Sequence, residues 1–165
     1  MAVDADTGFI TGHTLTKNSD SDASQLPDLL DQSQGCGEID EASMDGAYDD
    51  HKCFDAVIER GIEPIIPPRE GAVEWYEEQL GDRADYARNR AVRRIGEVGR
   101  VEWKKEVGYH KRSLSETAMM RYKTIFGGRL YSRRMETQTT EAAIKIKALN
   151  IMTGCGMPTS EKVAA

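Results

Sequence analysis

Residues 38–68 read EIDEASMDGAYDDHKCFDAVIERGIEPIIPP, a pattern that predicts a strand, a helix and a second strand. Residues 38–44 form the first strand, which ends in a tight turn. Asp49 or Asp50 then caps the helix, because a side-chain oxygen at that position satisfies an unpaired backbone N–H. Residues 63–68 form a short buried strand closed by prolines, which cannot donate to a ladder. Two strands joined by a helix favour an α/β fold with a right-handed crossover.

Further elements are predicted on both sides of this unit. Residues 1–19 are rich in β-forming side chains around a turn and predict two short extended pieces. A helix follows at residues 23–30, with Pro27 in its first turn. From Ala84 onward the chain is helix-rich, with interruptions at Gly96, Gly99 and Gly108. The sequence therefore predicts an α/β protein whose C-terminal half is mostly helical.

Length and composition favour a single domain over residues 1–165. The chain has 165 residues, of which 39% are hydrophobic and 30% charged, and this excludes a fully disordered protein. Residues 69–108 are predicted as a basic helical connection and residues 136–153 as a C-terminal helix. No apolar run is long enough to span a bilayer, and the first residues lack the features of a signal peptide. The three cysteines show no metal-ligand or disulfide spacing, so we expect a cytoplasmic protein.

Positive charge is concentrated in the middle of the chain. Residues 83–134 contain fifteen Lys or Arg and five Asp or Glu, a net charge of +10 in a chain whose total is −6. A basic patch of this kind binds polyanions locally even when the whole protein is acidic. The alternative is a set of solvated helix faces with no partner, which composition alone does not exclude.

Four residues in this basic stretch share a spacing that suits one face of a helix. They are Tyr109, Arg112, Glu116 and Lys123. At about 100° per residue all four fall within an arc of roughly 60°. A carboxylate flanked by cations is suited to holding a metal ion while the cations contact phosphates. The alternative is structural, because Ser113 and Glu116 also form a capping box in which Glu116 only satisfies a backbone N–H.

Several segments follow one another in an order that is typical of a known family. The spacing Tyr-x2-Arg-x3-Glu-x6-Lys begins at Tyr109, and residues 45–49 read Asp-Gly-Ala-Tyr-Asp after a predicted strand. Both resemble motifs of the bacterial insertion-sequence DDE transposases, the first around their catalytic Glu and the second around their second catalytic Asp. Residues 65–69, 88–90 and 148–150 are also similar to segments of that family, in the same order along the chain.

The resemblance implies a ribonuclease H-like fold, in which helices flank a mixed sheet and catalytic carboxylates meet at strand ends and on one helix. It implies divalent-metal-dependent cleavage and strand transfer of DNA, with two Mg²⁺ or Mn²⁺ ions held by two Asp and one Glu. Carried onto this chain, Asp45 and Glu116 are the catalytic residues and metal ligands. The residues expected to contact DNA are Tyr109, Arg112, Lys123, Arg88 and Arg90.

The same resemblance implies the partners of the protein. Double-stranded DNA is expected to bind as transposon ends and as target, and the protein is expected to form a homo-oligomer when assembled on DNA. No membrane is involved. The expected location is the prokaryotic cytoplasm, on the nucleoid when DNA is bound.

The pattern departs from the family at the N-terminus. The family's first catalytic Asp lies on a first strand, upstream of the segment that residues 1–4 resemble, and Asp4 and Asp6 are the nearest substitutes. We therefore expect the first strand to be missing and the enzyme to be crippled by the loss of one metal ligand. Two alternatives remain: an inactive DNA-binding or dimerising remnant, and an unrelated basic-patch nucleic-acid-binding module. Only the unrelated module predicts that Asp45 and Glu116 lie far apart.

Overall fold

Four short strands form two ladders in the computed structural model, which describes residues 1–16, 21–75 and 86–156. The strands are β1 (Ala2–Val3), β2 (Ile10–Gly12), β3 (Glu41–Ser43) and β4 (Glu63–Ile65). β1 and β2 pair antiparallel around the predicted turn, whereas β3 and β4 pair parallel. The two kinds of pairing that make up a mixed sheet are therefore both present. In the part of the chain that the structure describes, however, no ladder joins the two halves, so the prediction of one mixed sheet is met only in part.

The helices occupy most of the remaining described chain. They are α1 (Leu26–Gln34), α2 (His51–Ile58), α3 (Ala87–Val98), α4 (Arg100–Glu106), α5 (Ser113–Phe126) and α6 (Met135–Gly154). Pro27 lies in the first turn of α1, and Asp50 caps α2 by accepting the backbone N–H of Lys52 at 2.9 Å. Gly96 was expected to interrupt the helices but lies inside α3. Gly99, with a φ of +83°, is the residue that separates α3 from α4.

Helix α1 packs against both halves of the sheet. Leu26 and Leu30 of α1 join Val57 of α2 in one apolar cluster, and Ala42 of β3 packs against it. On the other half, β2 approaches α1 so closely that a Cβ on Gly12 would lie 2.9 Å from a backbone oxygen of α1. Only glycine fits this position, and one helix therefore holds the two ladders together.

Two further clusters attach the C-terminal helices. Ala118 of α5 and Leu149 of α6 pack around Ile10 of β2, and Trp103 of α4 packs with Ile65 of β4. The antiparallel ladder thus carries α5 and α6, whereas the parallel ladder carries α3 and α4. This division matters for function, because the two motifs with carboxylates lie after β3 and on α5.

A pair of hydrogen bonds ties α6 to the backbone of β2. The side-chain amide of Asn150 donates to the carbonyl oxygen of Ile10 at 2.8 Å, and its oxygen accepts the N–H of Ile10 at 2.9 Å. The amide therefore pairs with Ile10 much as a neighbouring strand would. This clasp sets the position of α6, and through the shared apolar cluster that of α5.

A buried ion pair connects the start of α2 to α3. Asp49 accepts the Nε–H of Arg88 at 2.6 Å, and the two side chains are only 1% and 6% exposed. Asp49 also accepts the backbone N–H of Arg69, and the Arg88 guanidinium lies 4.2 Å from the ring centre of Trp75. The pair thereby anchors residues 69–75 between the two helices.

Replacing Arg88 tests how much this pair stabilises the fold. Arg88→Met keeps much of the apolar stem but leaves the Asp49 carboxylate buried without its cation, so we expect the free energy of unfolding to fall by about 3 kcal/mol. Urea unfolding followed by tryptophan fluorescence measures the change. Arg94→Met is the matched control, since Arg94 makes comparable ion pairs at the exposed surface. Equal losses in the two variants would contradict a buried anchor.

Asn150→Asp tests the clasp between α6 and β2 with little change of shape. A carboxylate cannot donate to the Ile10 carbonyl, so we expect a loss of about 2 kcal/mol in the free energy of unfolding at neutral pH. Protonation restores a donor, and the fold favours the protonated form, so the deficit relative to wild type should shrink as the pH falls toward about 4 and be smallest below it. Thr139→Asp adds the same charge at an exposed position of α6 and should show neither effect.

Candidate active site

Asp45 lies just beyond the C-terminal end of β3. One of its carboxylate oxygens, Oδ1, accepts the backbone N–H of Ala47 at 2.9 Å and so caps the 3-10 turn Gly46–Tyr48. The turn packs tightly, because a Cβ on Gly46 would lie 3.3 Å from the carbonyl oxygen of Pro67. The backbone therefore fixes one oxygen of Asp45, and the other, Oδ2, faces α5.

Glu116 lies in the first turn of α5, after a second 3-10 turn at Tyr109–Arg112. Gly108 starts that turn with a φ of +62°, a conformation that favours glycine. The four residues at 109, 112, 116 and 123 were predicted to share one face of a continuous helix. The 3-10 turn changes the direction of Tyr109, whose ring packs 6.5 Å from that of Trp103.

Arg112 links the two acidic residues. One guanidinium nitrogen lies 2.5 Å from Oε1 of Glu116, and the other lies 3.5 Å from Oδ2 of Asp45. The hydrogen bond to Glu116 is the main cause of a raised pKa at Arg112. Two carboxylates that are seventy-one positions apart in sequence therefore meet at one cation.

The predicted capping box is not formed at this helix start. No side chain caps α5, and the hydroxyl of Ser113 donates to the His110 carbonyl at 2.8 Å. Glu116 instead accepts a hydrogen bond from Arg112. The carboxylate is therefore directed toward Asp45 and is 63% exposed, which leaves it accessible to a ligand.

Asp45, Arg112, Glu116 and Lys123 line one open cavity of about 630 Å³. Ser115, Met119 and Met120 contribute to the same surface. Sequence reasoning did not single out Ser115, whose hydroxyl donates to the carbonyl of Arg112 at 2.9 Å and so steadies the turn that carries the guanidinium. Serine three residues after an arginine is too common a spacing to have marked this role.

Two of the predicted DNA contacts lie elsewhere. Arg88 lies outside the cavity, with its guanidinium buried against Asp49 and Trp75, an arrangement that does not favour the DNA contact predicted for it. Arg90 is exposed and pairs with Glu63 at the edge of a second groove, between β4 and helices α3 and α4. Tyr109 is half-buried beside the site, and burial raises the pKa of its hydroxyl.

Asp4 and Asp6, the nearest substitutes for the family's first Asp, lie outside the cavity of Asp45 and Glu116. Both oxygens of Asp4 serve its own turn, accepting the N–H of Asp6 at 2.9 Å and the hydroxyl of Thr7 at 2.7 Å. These hydrogen bonds lower the pKa of Asp4. Neither residue is among those that line the cavity of Asp45 and Glu116.

The donor set fits one hard divalent cation but not a complete three-carboxylate centre. Among the described residues, no group of three His, Cys, Asp or Glu side chains is placed to hold a metal ion. Magnesium is nevertheless commonly held in proteins by one or two carboxylates together with water and substrate phosphates. The guanidinium of Arg112 also shows that a positive charge is accommodated between Asp45 and Glu116.

Comparison with known protein families identifies the chain. Residues 1–151 match the family described as the transposase DDE domain. The chain belongs to the DDE transposases. No solved structure matches it. The family match excludes the alternative of a module unrelated to these enzymes, and the meeting of Asp45 and Glu116 agrees with that result.

Membership of the DDE transposase family establishes the general function of the protein. It acts in DNA transposition on a DNA substrate, and DDE transposases generally use divalent metal ions. In the described residues, no helix has both the length and the apolar composition needed to cross a membrane.

Proposed function

We propose that Asp45 and Glu116 form the metal-binding catalytic pair of a transposase that cleaves phosphodiester bonds and transfers DNA strands. The observation that supports this most directly is the shared guanidinium of Arg112, which requires the two carboxylates to be neighbours. The two negatively charged carboxylates repel each other, and a cation beside them offsets that repulsion. A divalent cation suits the same position, because oxygen ligands are those that magnesium prefers.

Asp45 and Glu116 are the residues that hold this ion in our proposal. A divalent ion at such a pair activates water or a DNA 3′-hydroxyl for attack on the phosphodiester and stabilises charge on the leaving oxygen. The chain itself fixes the geometry: the N–H of Ala47 orients Asp45, and the first turn of α5 orients Glu116. Both ligands are thus positioned by backbone elements before DNA arrives.

The cations of the cavity hold the DNA in this proposal. Arg112 offers a planar guanidinium that can bind a phosphate through two hydrogen bonds. Lys123 lies two helical turns beyond Glu116, about 10 Å along α5. It lines the same cavity, and its ammonium group has no acidic partner within residues 1–16, 21–75 and 86–156. Tyr109 helps to fix the position of Arg112, because its half-buried ring packs against Trp103 and so anchors the 3-10 turn that carries both residues.

Arg112 has two successive partners in this reaction. Without metal or DNA it neutralises the carboxylates. A divalent cation held by Asp45 and Glu116 would supply that positive charge instead, and Arg112 would then be available to bind a phosphate. The side chain is 25% exposed, so it can reach solvent and substrate without unfolding the turn. The contact with Arg112 would keep the two carboxylates close together while neither metal nor DNA is bound.

The described residues supply two of the three carboxylates that the family resemblance implies. We therefore propose weak metal binding and low activity for this chain alone. The remaining alternative is an inactive remnant that binds DNA or dimerises with an intact transposase. Assembly of a homo-oligomer on DNA stays a prediction.

Metal-dependent nicking of transposon-end DNA tests the catalytic pair. We expect Asp45→Asn and Glu116→Gln each to lower the rate with Mg²⁺ or Mn²⁺ more than about 100-fold, since the ion supplies several kcal/mol of transition-state stabilisation. Glu102→Gln removes an exposed carboxylate from another ion pair and should leave the rate unchanged. If the wild-type chain binds DNA but cleaves none with either ion, the inactive remnant is the correct reading.

Direct Mn²⁺ binding tests the exchange at Arg112. Arg112→Gln removes the competing cation, so we expect Mn²⁺ affinity, measured by electron paramagnetic resonance, to rise about threefold to fivefold. DNA affinity should fall in the same variant because a phosphate contact is lost. Arg94→Gln is the control, since Arg94 also bridges two carboxylates but lies away from the cavity. Weaker Mn²⁺ binding by Arg112→Gln would show that the guanidinium only positions the acids.

A further inference from the structure

The loop between α5 and α6, residues 127–134, presents an unusual set of exposed side chains. Arg129, Arg133 and Arg134 are exposed, and their guanidinium groups have no acidic partner in the described parts of the chain. Tyr131, between them, is 84% exposed. An exposed aromatic ring among unpaired cations is a combination that binds nucleic acid through stacking and phosphate contacts.

The loop is held in place by the helix that follows it. Glu141 of α6 accepts the backbone N–H groups of Tyr131 and Ser132, at 3.0 and 2.9 Å, and the ammonium group of Lys145 at 2.7 Å. Lys145 also donates to the carbonyl oxygen of Arg129 at 3.1 Å. The ammonium and the two N–H groups lower the pKa of Glu141 to about 2, so this anchor stays ionised at neutral pH.

Because the loop backbone is held by these hydrogen bonds, the three arginines project from a fixed segment of the chain. A ligand that binds them does not have to order the loop first, so less conformational entropy is lost on binding. The aromatic ring of Tyr131 has the Lys145 ammonium 5.5 Å from its centre and is otherwise directed away from the core. The loop is thus arranged as a rigid, basic contact surface.

The position of the loop relates it to the carboxylates. Glu116 lies near the start of α5, and Phe126 ends the helix ten residues later, about 15 Å away. Lys123 lies between them. One DNA strand carries a phosphate for roughly every 3.4 Å of duplex axis, so the loop lies about four to five nucleotides from the acidic pair.

We infer that residues 129–134 form a second DNA contact surface of this transposase, about four to five nucleotides from the cleaved phosphate. The three arginines bind backbone phosphates, and Tyr131 stacks on a base that is not paired in a duplex. The inference rests on the proposed function, because it takes the Asp45–Glu116 cavity as the point of cleavage. Lys123 then continues the line of positive charge along α5 between the cavity and the loop.

Salt-dependent DNA binding, measured by fluorescence anisotropy on the full chain, tests the phosphate contacts. The variant combines Arg129→Gln, Arg133→Gln and Arg134→Gln, and loss of three contacts should reduce the slope of log affinity against log salt by about 2.7. The control combines Lys52→Gln, Arg94→Gln and Lys105→Gln, which removes the same charge elsewhere. Equal slopes for the two variants would overturn the inference, while circular dichroism checks that both remain folded.

Tyr131→Ala tests the stacking contact, with Tyr131→Phe as its matched control. We expect Tyr131→Ala to weaken binding of a duplex with a five-nucleotide single-stranded tail by about tenfold, since stacking on one base contributes roughly 1–3 kcal/mol. A fully paired duplex should be affected much less. Equal effects on both DNAs would refute stacking. Wild-type protein that binds neither DNA would instead refute the proposed function, whereas binding that is insensitive to the loop refutes only this inference.

Discussion

The Arg112 guanidinium is the interaction on which the site depends. Asp45 follows β3, and Glu116 lies in the first turn of α5. Two carboxylates brought close together repel each other unless a positive charge lies near them. Arg112 provides that charge from the residue immediately before α5. The parallel ladder and the antiparallel ladder, each with its own helices, are thereby linked at the cavity by an ion-pair network as well as by the packing of α1. Metal binding, in our proposal, replaces one cation by another without rebuilding the backbone.

Local features of this structure were predictable from the sequence, because local chemistry determines them. Asp50 caps α2 and Pro27 occupies the first turn of α1, where neighbouring residues alone decide the outcome. The convergence of Asp45 and Glu116 was predictable only through the family resemblance, since no periodicity relates positions so far apart. Tyr109 shows the limit of helical spacing: a 3-10 turn advances about 120° per residue, so over the three residues to Arg112 an angle computed for an α-helix is in error by about 60°.

Arg88 shows why charge alone does not reveal which arginines are exposed to a ligand. In sequence it is one of fifteen cations between residues 83 and 134. In the structure this guanidinium is buried in an ion pair with Asp49, four positions after Asp45. Burial of an arginine depends on a partner that is distant in sequence, and no local pattern reveals it. The split sheet has a similar origin, because strands of two or three residues carry too little hydrophobic alternation to predict which of them pair.

The net charge of the basic stretch therefore matters less than where its unpaired cations lie. Arg94 and Lys105 are each paired with neighbouring glutamates, which cancels much of their field at long range. Lys123 on α5 and Arg129, Arg133 and Arg134 in the loop beyond it have no acidic partner among the described residues, so they retain their field between the cavity and the exposed Tyr131. In our proposal helix α5 is thus a common axis that carries a catalytic carboxylate at one end and a phosphate-binding surface at the other. A DNA strand laid along it would be held at both places, so contacts at the loop would help to position the phosphate at the cavity and the proposed metal site would not have to do so alone.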